Sequence, residues 1–370
     1  MVNAQDGLKK GLSDGDAIQA ALNYGHRTVT VPYKGSPWIV HKPINIPSNR
    51  NITFGPGVVV MAKEGCFKGV FDCLFEAYKQ KNIKIRGYGA TLCMRKADYR
   101  PPAYPASEHR HVLNIRVCEN VKVYGLRLAD SGGDGIFIGA DREHLAPCKN
   151  ITVTDCVCDN NYRQGISVTS VIRLRINNCI LSNTSGTSPR AGIDLEPDDA
   201  VDHMSNIVIS NCVSEANGGS GFLVSIGALS DRSAAVSILF KDCLVRNGRA
   251  QGLRFRDASK YQTTDPKGLV EFRNCTCENL LYPGLSGVWA KQSSLLKFKF
   301  SKCTWQNVSS NGLNSPIYLE LQKQPALART GGVEFYKCAL HDNIDRPPLY
   351  IVDIGGYPLG VYNIWGAVGL

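Results

Sequence analysis

From about residue 115 onward, the chain repeats a short alternation of apolar and polar residues that ends in a cysteine. Typical segments are Ile151-Thr-Val-Thr-Asp-Cys156 and Ile207-Val-Ile-Ser-Asn-Cys212. Alternation over this length is typical of a half-buried β-strand. The cysteines follow one another at intervals that suit one solenoid turn each, and they are Cys156, Cys179, Cys212, Cys243, Cys275, Cys303 and Cys338.

Two further features return in each repeat. An asparagine follows each cysteine by four or five residues, at Asn160, Asn183, Asn217, Asn247, Asn279, Asn307 and Asn343. Asparagine tolerates the left-handed backbone of a tight turn, so these positions predict the same turn in every coil. A second apolar strand then follows, opened by a glycine at residue 135, 165, 192, 221, 252 or 287. Several short strands per repeat, without a helical period, predict an all-β parallel β-helix solenoid.

Ahead of these repeats, the sequence predicts a cap and less regular coils. The stretch from Asp14 to Leu22 has the pattern of an N-capped amphipathic helix ending near Gly25, which would cover the open end of the core. We therefore expect one β-helix domain over residues 1–370, with an N-terminal cap (1–27), irregular first coils (28–128) and regular coils (129–370). The Pro-rich loop from Tyr99 to His111 is expected to line a groove along the coil.

Composition narrows the function classes. The chain is 43% hydrophobic but has no apolar run near the roughly 20 residues that a membrane span needs, so we expect no membrane partner. The net charge of +10 comes from Lys and Arg residues scattered among acids, which argues against nucleic acid and suits an anionic sugar. Most of the 14 cysteines share the parity of the apolar residues, so they are expected to pack inside the coil.

Four segments together resemble the pectate-lyase-like right-handed parallel β-helix superfamily. They are the stretch from Asp14 to Leu22, Ser131-Gly-Gly-Asp-Gly-Ile-Phe-Ile-Gly139, Arg163-Gln-Gly-Ile-Ser167 and Ala191-Gly-Ile-Asp-Leu-Glu-Pro197. That superfamily includes pectate lyases, polygalacturonase-type glycoside hydrolases, alginate epimerases and phage tailspike depolymerases. The resemblance implies a right-handed coil and an extracellular or periplasmic location, although the chain shows no signal peptide. The downstream Gly-His-Gly and Arg-Ile-Lys motifs of polygalacturonases are absent, as is the Asp-Pro-His motif of alginate epimerases.

Alternation within the second strands predicts which side chains point outward. When the strands are aligned on their opening glycines, one outer face presents hydroxyls, acids, bases and aromatic rings. An aromatic ring can stack on a sugar, a cation can hold an anionic group, and carboxylates can perform acid–base catalysis. This face therefore predicts a carbohydrate groove, with the outward residues Phe137, Ser167, Thr169, Asp194, Glu196, Leu223, Ser225, Arg254, Arg256, Trp289 and Lys291.

Asp194 and Glu196 are the leading catalytic candidates. Two residues apart on a strand, their carboxyl groups could match the separation in retaining or in inverting glycosidases. Asp134, in a Gly-rich turn, is expected to supply a further acid or substrate contact. The predicted substrate-binding residues are Arg163, Arg254, Arg256, Trp289, Lys291 and His203. A solvated sheet face for the acids and a turn role for Asp134 stay open as alternatives.

Three functions stay open from the sequence. The first is a glycoside hydrolase acting on a poly- or oligosaccharide, with Glu196 as general acid and Asp194 as base or nucleophile. The second is a polysaccharide lyase or epimerase acting on uronic acids, and the third is a non-catalytic, tailspike-like glycan-binding protein. We expect no cofactor, although the acidic run of Asp198, Asp199 and Asp202 suggests Ca²⁺ as an alternative. A homotrimer is compatible with such a long solenoid.

Overall fold

The computed structural model describes residues 1–141, 143, 146–256, 266–289, 296–321, 333–353 and 364–365. Short parallel strands wind into a solenoid of about ten turns, which confirms the predicted parallel β-helix. In the part of the chain that the structure describes, no helix is long and apolar enough to cross a membrane.

Helices are confined to the N-terminal end, where they are α1 (Gln5–Leu8) and α2 (Asp14–Asn23). The strands, in chain order, are β1 (Val2–Asn3), β2 (Thr28–Val31), β3 (Trp38–Val40), β4 (Ile44–Asn45), β5 (Arg50–Phe54), β6 (Val59–Ala62), β7 (Phe75–Tyr78), β8 (Lys81–Cys93), β9 (Leu113–Arg116), β10 (Glu119–Ala129), β11 (Ile136–Gly139), β12 (Cys148–Thr154), β13 (Val157–Asp159), β14 (Ile166–Val168), β15 (Val171–Asn177), β16 (Ile180–Ser182), β17 (Ile193–Leu195), β18 (Met204–Ser210), β19 (Val213–Glu215), β20 (Phe222–Ser225), β21 (Val236–Lys241), β22 (Leu244–Arg246), β23 (Leu253–Arg256), β24 (Gly268–Arg273), β25 (Thr276–Glu278), β26 (Leu285–Trp289), β27 (Leu296–Ser301), β28 (Thr304–Gln306), β29 (Ile317–Leu321), β30 (Val333–Tyr336), β31 (Ala339–His341), β32 (Leu349–Asp353) and β33 (Ile364–Trp365).

Helix α2 forms at the predicted place. The Ser13 side chain accepts a hydrogen bond from the Asp16 backbone N–H at the start of this helix, which satisfies one of the donors that a helix leaves free. The apolar face of α2 is buried, including Ile18 and Leu22. The coils that follow are more regular than expected, because β2, β5, β8 and β10 pair in parallel in the same succession as the later coils.

The strands form three faces of the coil. An 11-stranded parallel sheet runs in the order β4, β7, β9, β11, β14, β17, β20, β23, β26, β29 and β32, and we call it the site sheet. The other described strands make a 22-stranded sheet that wraps the remaining two faces. Along the site sheet, each residue pairs with its counterpart in the next coil, for example Ser167 with Asp194. This register stacks equivalent side chains in columns about 4.8 Å apart.

Two left-handed turns join the faces in most coils. Asn160 and Asn183 adopt positive φ values of 52° and 57°, as the asparagine pattern predicts. At Asn217 the left-handed residue is instead the preceding Ala216, with φ of 53°. The Asn217 side chain is buried, where it donates to the Leu181 carbonyl and accepts from the Thr184 N–H.

The interior is a set of apolar columns. The repeat cysteines from Cys156 to Cys303 are buried with free thiols. Towards the C-terminal coils the core becomes aromatic, because Phe240, Phe272 and Phe300 stack with ring centroids 4.6 Å and 5.2 Å apart. The cysteines therefore lie on the inner side, as their parity predicts.

The register of one coil differs from the sequence alignment. Leu253 pairs with Leu285 and Phe255 pairs with Gly287, so the glycine that opens this strand is Gly284. A Cβ atom on Gly287 would lie 2.1 Å from the Phe255 ring, so the missing side chain makes room for that ring in the core. The outward partners of Arg254 and Arg256 are therefore Ser286 and Val288, and the predicted partners Trp289 and Lys291 are wrong.

Candidate functional site

A cavity of about 700 Å³ opens over the outer face of β9, β11 and β14, beside the end of the loop from Tyr99 to His111. Its wall carries five carboxylates, two guanidinium groups and several aromatic rings. The lining residues are Phe71, Cys73, Tyr78, Glu108, His109, His111, Asn114, Arg116, Phe137, Ala140, Asp141, Glu143, Arg163, Ser167, Thr169, Glu196 and Asp198.

Arg163 connects the two sides of this cavity. Its Nε donates to Asp134 Oδ1 at 3.1 Å, and its Nη1 donates to Glu108 Oε1 at 3.3 Å. Its Nη2 donates to Ser167 Oγ at 3.2 Å, which ties it to β14. Although burial opposes the charged form, the carboxylates of Asp134 and Glu108 raise the pKa of Arg163. Arg163 is thus a fixed cation between the loop and the site sheet.

His111 and Asp134 form a buried pair at the cavity floor. The Asp134 backbone N–H donates to His111 Nδ1 at 2.9 Å, and Asp134 Oδ2 lies 3.2 Å from the same nitrogen. Burial lowers the pKa of His111 well below its usual value, so the ring is neutral at physiological pH. Burial also raises the pKa of Asp134 to about 7, although Arg163 opposes this. A proton on Asp134 Oδ2 would relieve the contact between two acceptors.

Asp194 and Glu196 adopt different environments although they are two residues apart on one strand. Asp194 is completely buried and does not line the cavity, which contradicts the exposed position expected from the sequence. The Gln164 amide donates to Asp194 Oδ2 at 2.8 Å, and Gln164 Oε1 accepts from the Ala191 N–H. Burial, followed by the negative charge of Glu196, raises the pKa of Asp194 well above its usual value. Asp194 therefore holds a proton and hydrogen-bonds to Glu196, which does reach the cavity.

Most of the predicted binding residues lie away from this cavity. Arg254 and Arg256 are two coils from Asp194, and neither lines the cavity. Burial lowers the pKa of Arg254, and its Nε has no hydrogen-bond partner. His203 also lies outside the cavity wall. The Trp289 side chain and Lys291 fall outside the described residues.

The acidic run after β17 organises a turn. The Asp202 carboxylate accepts hydrogen bonds from the backbone N–H groups of Asp198 and Asp199, at 2.9 Å and 2.8 Å. One oxygen of Asp202, Oδ2, thus accepts both backbone bonds and holds the turn. Across the described residues, no group of three or more His, Cys, Asp or Glu side chains is placed to hold a metal ion.

Glu108 and Arg116 are site residues that the sequence reasoning missed. Glu108 approaches Arg163 from the loop, whereas Arg116 pairs with Glu76 at 2.9 Å on the site sheet. His111, the last residue of the Pro-rich loop, is buried at the cavity floor. The available signal was the long Pro-rich loop, since the expectation that it lines a groove points to Glu108 and His111.

Comparisons with known proteins agree with this architecture. Residues 106–236 match the family model described as a right-handed beta helix region. The chain is similar in structure to a family 28 exopolygalacturonase of Yersinia enterocolitica, with a TM-score of 0.60 and 12% identity, over 97% of this chain and 79% of that one. It is also similar to a tailspike mutant of E. coli bacteriophage HK620 in complex with a pentasaccharide, with a TM-score of 0.60 and 12% identity, over 94% and 60% of the two chains.

A third similar structure is the N-terminal fragment of gene product 12 of bacteriophage phi29. The TM-score is 0.53 and the identity 17%, over 93% of this chain and 68% of that one. No curated protein matches the chain in sequence. The family match, the structural neighbours and the parallel strand register together identify the chain as a right-handed parallel β-helix protein.

Proposed function

We propose that the protein is a glycoside hydrolase that cleaves a poly- or oligosaccharide in the cavity beside Arg163. The observation that carries this proposal is that two carboxyl groups reach one cavity in different surroundings. Glu196 lies beside the buried Asp194, whose pKa is raised, whereas Glu108 is paired with Arg163. Carboxyl groups in environments that differ in this way can serve as the acid and the base of one reaction.

Glu196 would be the general acid, and the buried Asp194 would be its proton partner. The two carboxyls hydrogen-bond to each other, so they are too close to flank a glycosidic bond from opposite sides. Only Glu196 reaches the cavity. In the proposed step, Glu196 takes the proton held by Asp194 and passes it to the leaving oxygen. Both carboxyls are then ionised until a proton from water restores Asp194.

Glu108 would be the second catalytic carboxylate. Its ion pair with Arg163 fixes the Glu108 carboxyl at the cavity wall, where a base or nucleophile would act. In an inverting mechanism, Glu108 would take a proton from the attacking water. In a retaining mechanism, it would attack the anomeric carbon itself. The anomeric configuration of the first product, followed by NMR, distinguishes these two routes. His111, neutral at the floor, offers a hydrogen-bond donor rather than a charged acid.

A neutral sugar is the substrate class that fits this cavity best. The wall carries five carboxylates and only two guanidinium groups, and both guanidinium groups are already paired with acids. An anionic sugar would be repelled by the excess of negative charge. This local balance outweighs the positive net charge of the whole chain, which is spread over its surface. An extracellular or periplasmic location suits such a substrate, and the homotrimer stays a prediction.

The test is hydrolysis of a panel of neutral and uronate polysaccharides by the native chain and by Glu196→Gln and Glu108→Gln. Both variants are expected to lose at least about a hundredfold in the rate of reducing-end release, as is typical when an acid or base is removed. Glu215→Gln is the matched control, because Glu215 pairs with Arg246 on another face of the coil.

Other outcomes would redirect the function. An ultraviolet-absorbing, unsaturated product from a uronate polymer would overturn the hydrolase proposal in favour of a lyase. Tight binding without any turnover would instead make the protein a glycan-binding module. Full activity in Glu196→Gln would refute the catalytic role of the Asp194 and Glu196 pair.

A further inference from the structure

Phe71 is an exposed aromatic residue at the mouth of the cavity. Its side chain is 66% exposed, and its ring stacks on His109 with centroids 5.1 Å apart and planes 23° apart. We propose that Phe71 and His109 form a stacking subsite for a sugar unit several positions along the glycan from the one at Glu196. This inference rests on the proposed function, because it assigns a further part of the same substrate.

The exposed ring is held by a rigid base. Arg110 is completely buried and donates from Nε to the Phe67 carbonyl and from Nη2 to the Pro105 carbonyl, at 2.9 Å and 3.1 Å. These bonds join the segment before Phe71 to the segment before His109. The Cys73 sulfur lies 3.5 Å from the Phe71 carbonyl oxygen and 3.4 Å from the His109 carbonyl oxygen, so its single S–H can donate to either. Because the two segments are fixed together, little ordering entropy is lost when a ligand binds.

The aromatic contact continues from the mouth to the floor. His109 meets His111 edge to face at 6.1 Å, and His111 stacks on Phe137 at 5.0 Å. Burial increases from Phe71 to His111, which is only 4% exposed, and Phe137 beyond it is partly exposed to the cavity. The outermost pair is the part that a ligand can cover. Rings present apolar faces with a polar edge, which suits the alternating C–H and hydroxyl surface of a neutral sugar.

The position of Phe71 sets its role. Phe71 lies just before β7, whereas Glu196 follows β17, and the site sheet places β9, β11 and β14 between these strands. Four coil steps correspond to about 19 Å along the solenoid axis. A sugar on Phe71 is therefore several units along the solenoid axis from the sugar at Glu196. Such a contact strengthens the binding of long chains and is irrelevant to short ones.

The experiment measures binding separately from cleavage. Glu196→Gln provides an inactive background, and calorimetry follows oligosaccharides of graded length prepared from whichever panel polysaccharide binds. Adding Phe71→Ala should weaken the binding of long oligosaccharides about tenfold and leave short ones unchanged. Phe71→Trp should retain the affinity. Melting temperatures should not move, because the Phe71 ring is mostly in water.

Tyr24→Ala is the matched control. Tyr24 is 69% exposed and stacks on His26 at 5.6 Å, so it repeats the local arrangement far from the cavity. Equal affinity of Phe71→Ala and Tyr24→Ala for every length would overturn the subsite and leave the hydrolase proposal intact. A glycan that binds but is never cleaved would overturn hydrolysis and still test the subsite. If no glycan binds the inactive background, both proposals fall.

Discussion

The outer column of the site sheet has two halves that share one backbone geometry and differ in exposure. In the first half, Ser167 and Asp194 are completely buried next to the segment that ends the loop from Tyr99 to His111. In the second half, Ser286 of the same column is still buried, and the column becomes exposed at Tyr350, which is 53% exposed. The strands pair in the same parallel register in both halves. The strand pattern alone therefore does not decide where polar side chains become a site; Glu108 reaches Arg163 only in the first half.

Burial changes what these side chains can do. In water, an outward carboxyl on a sheet is an ordinary charged group with little consequence for stability. Next to the loop, the same type of group is desolvated, so its charge must be compensated by a partner or removed by a proton. Asp134 and Asp194 use both solutions, since Arg163 lies beside them and their pKa values are raised. The predictions below test this difference between the two halves.

The largest effect is expected from Arg163→Ala. This change removes the only cation that bonds to Asp134 in the described residues and leaves a buried acid uncompensated. The free energy of unfolding should fall by about 3 kcal/mol, as for other broken buried pairs. Denaturant unfolding measures it. The control is Arg127→Ala, because Arg127 pairs with Asp159 at 2.6 Å on a half-exposed surface and should lose below about 1 kcal/mol. Equal losses would remove the distinction between the two environments.

The next effect concerns the C-terminal half and tests its register. Gly287→Ala should lower the free energy of unfolding by about 2 kcal/mol, because its new methyl group would overlap the Phe255 ring. Phe255→Leu in the same chain should recover part of this loss. Gly55→Ala is the control, since a Cβ atom there would meet its first neighbour only at 3.6 Å. A harmless Gly287→Ala would contradict the pairing of Phe255 with Gly287.

The next prediction concerns the first half of the site sheet, beside the loop. There we expect a change in how the free energy of unfolding depends on pH. The pKa of Asp134 is about 7 in the folded chain and 3.8 without the fold, so the folded state holds the proton more tightly. Stability from this group is therefore complete at low pH and is lost as the pH rises towards 7. Asp134→Asn should remove about 2 kcal/mol of the decline between about pH 5 and pH 7, measured by denaturant titrations.

The control for this prediction has the opposite sign. The Asp159 pKa is lowered because its hydrogen bonds to Asn183 and Ser182 and the charge of Arg127 outweigh its burial. Asp159 thus contributes stability at neutral pH that is lost on acidification. Asp159→Asn should flatten the acid side of the profile and leave the change between pH 5 and pH 7 as it is. An unchanged profile in Asp134→Asn would show that Asp134 is already ionised at pH 5.

The sequence predicts the repeated part of the molecule well because the repeat averages over many coils. Alternation around the cysteines and the asparagine turns recurs in each coil, so a single exception such as Asn217 does no harm. The errors fall where one position decides the outcome. The pairing of β23 with β26 depends on whether the Phe255 ring fits beside Gly287, and the order of apolar and polar residues does not show this.

The candidate site is harder to predict for a related reason. The sequence favours Glu196 as a catalytic residue and Arg163 as a substrate-binding residue; both line the cavity, and their roles stay predictions. Alternation also predicts that the Asp194 side chain points outward from the coil, which is correct. A side chain that points outward is not necessarily exposed to solvent, and the Asp194 side chain is buried. Exposure depends on Gln164 and Glu196 covering the carboxyl, and on a loop that approaches from about 80 residues earlier in the chain. Contacts between segments that are far apart in the chain do not produce a periodic pattern in the sequence.

The smallest effect is expected from Arg256→Ala in the exposed half. Arg256 is exposed and lies at the end of β23, away from the cavity wall, so its removal should change the free energy of unfolding by less than about 0.5 kcal/mol. KM and kcat on the neutral panel should both stay within about twofold, because no contact with the proposed substrate is lost. Steady-state kinetics on graded oligosaccharides checks this. A large rise in KM would move substrate binding to the coil of Arg256. It would also favour a uronate substrate again, because a guanidinium group binds a carboxylate through charge-assisted hydrogen bonds.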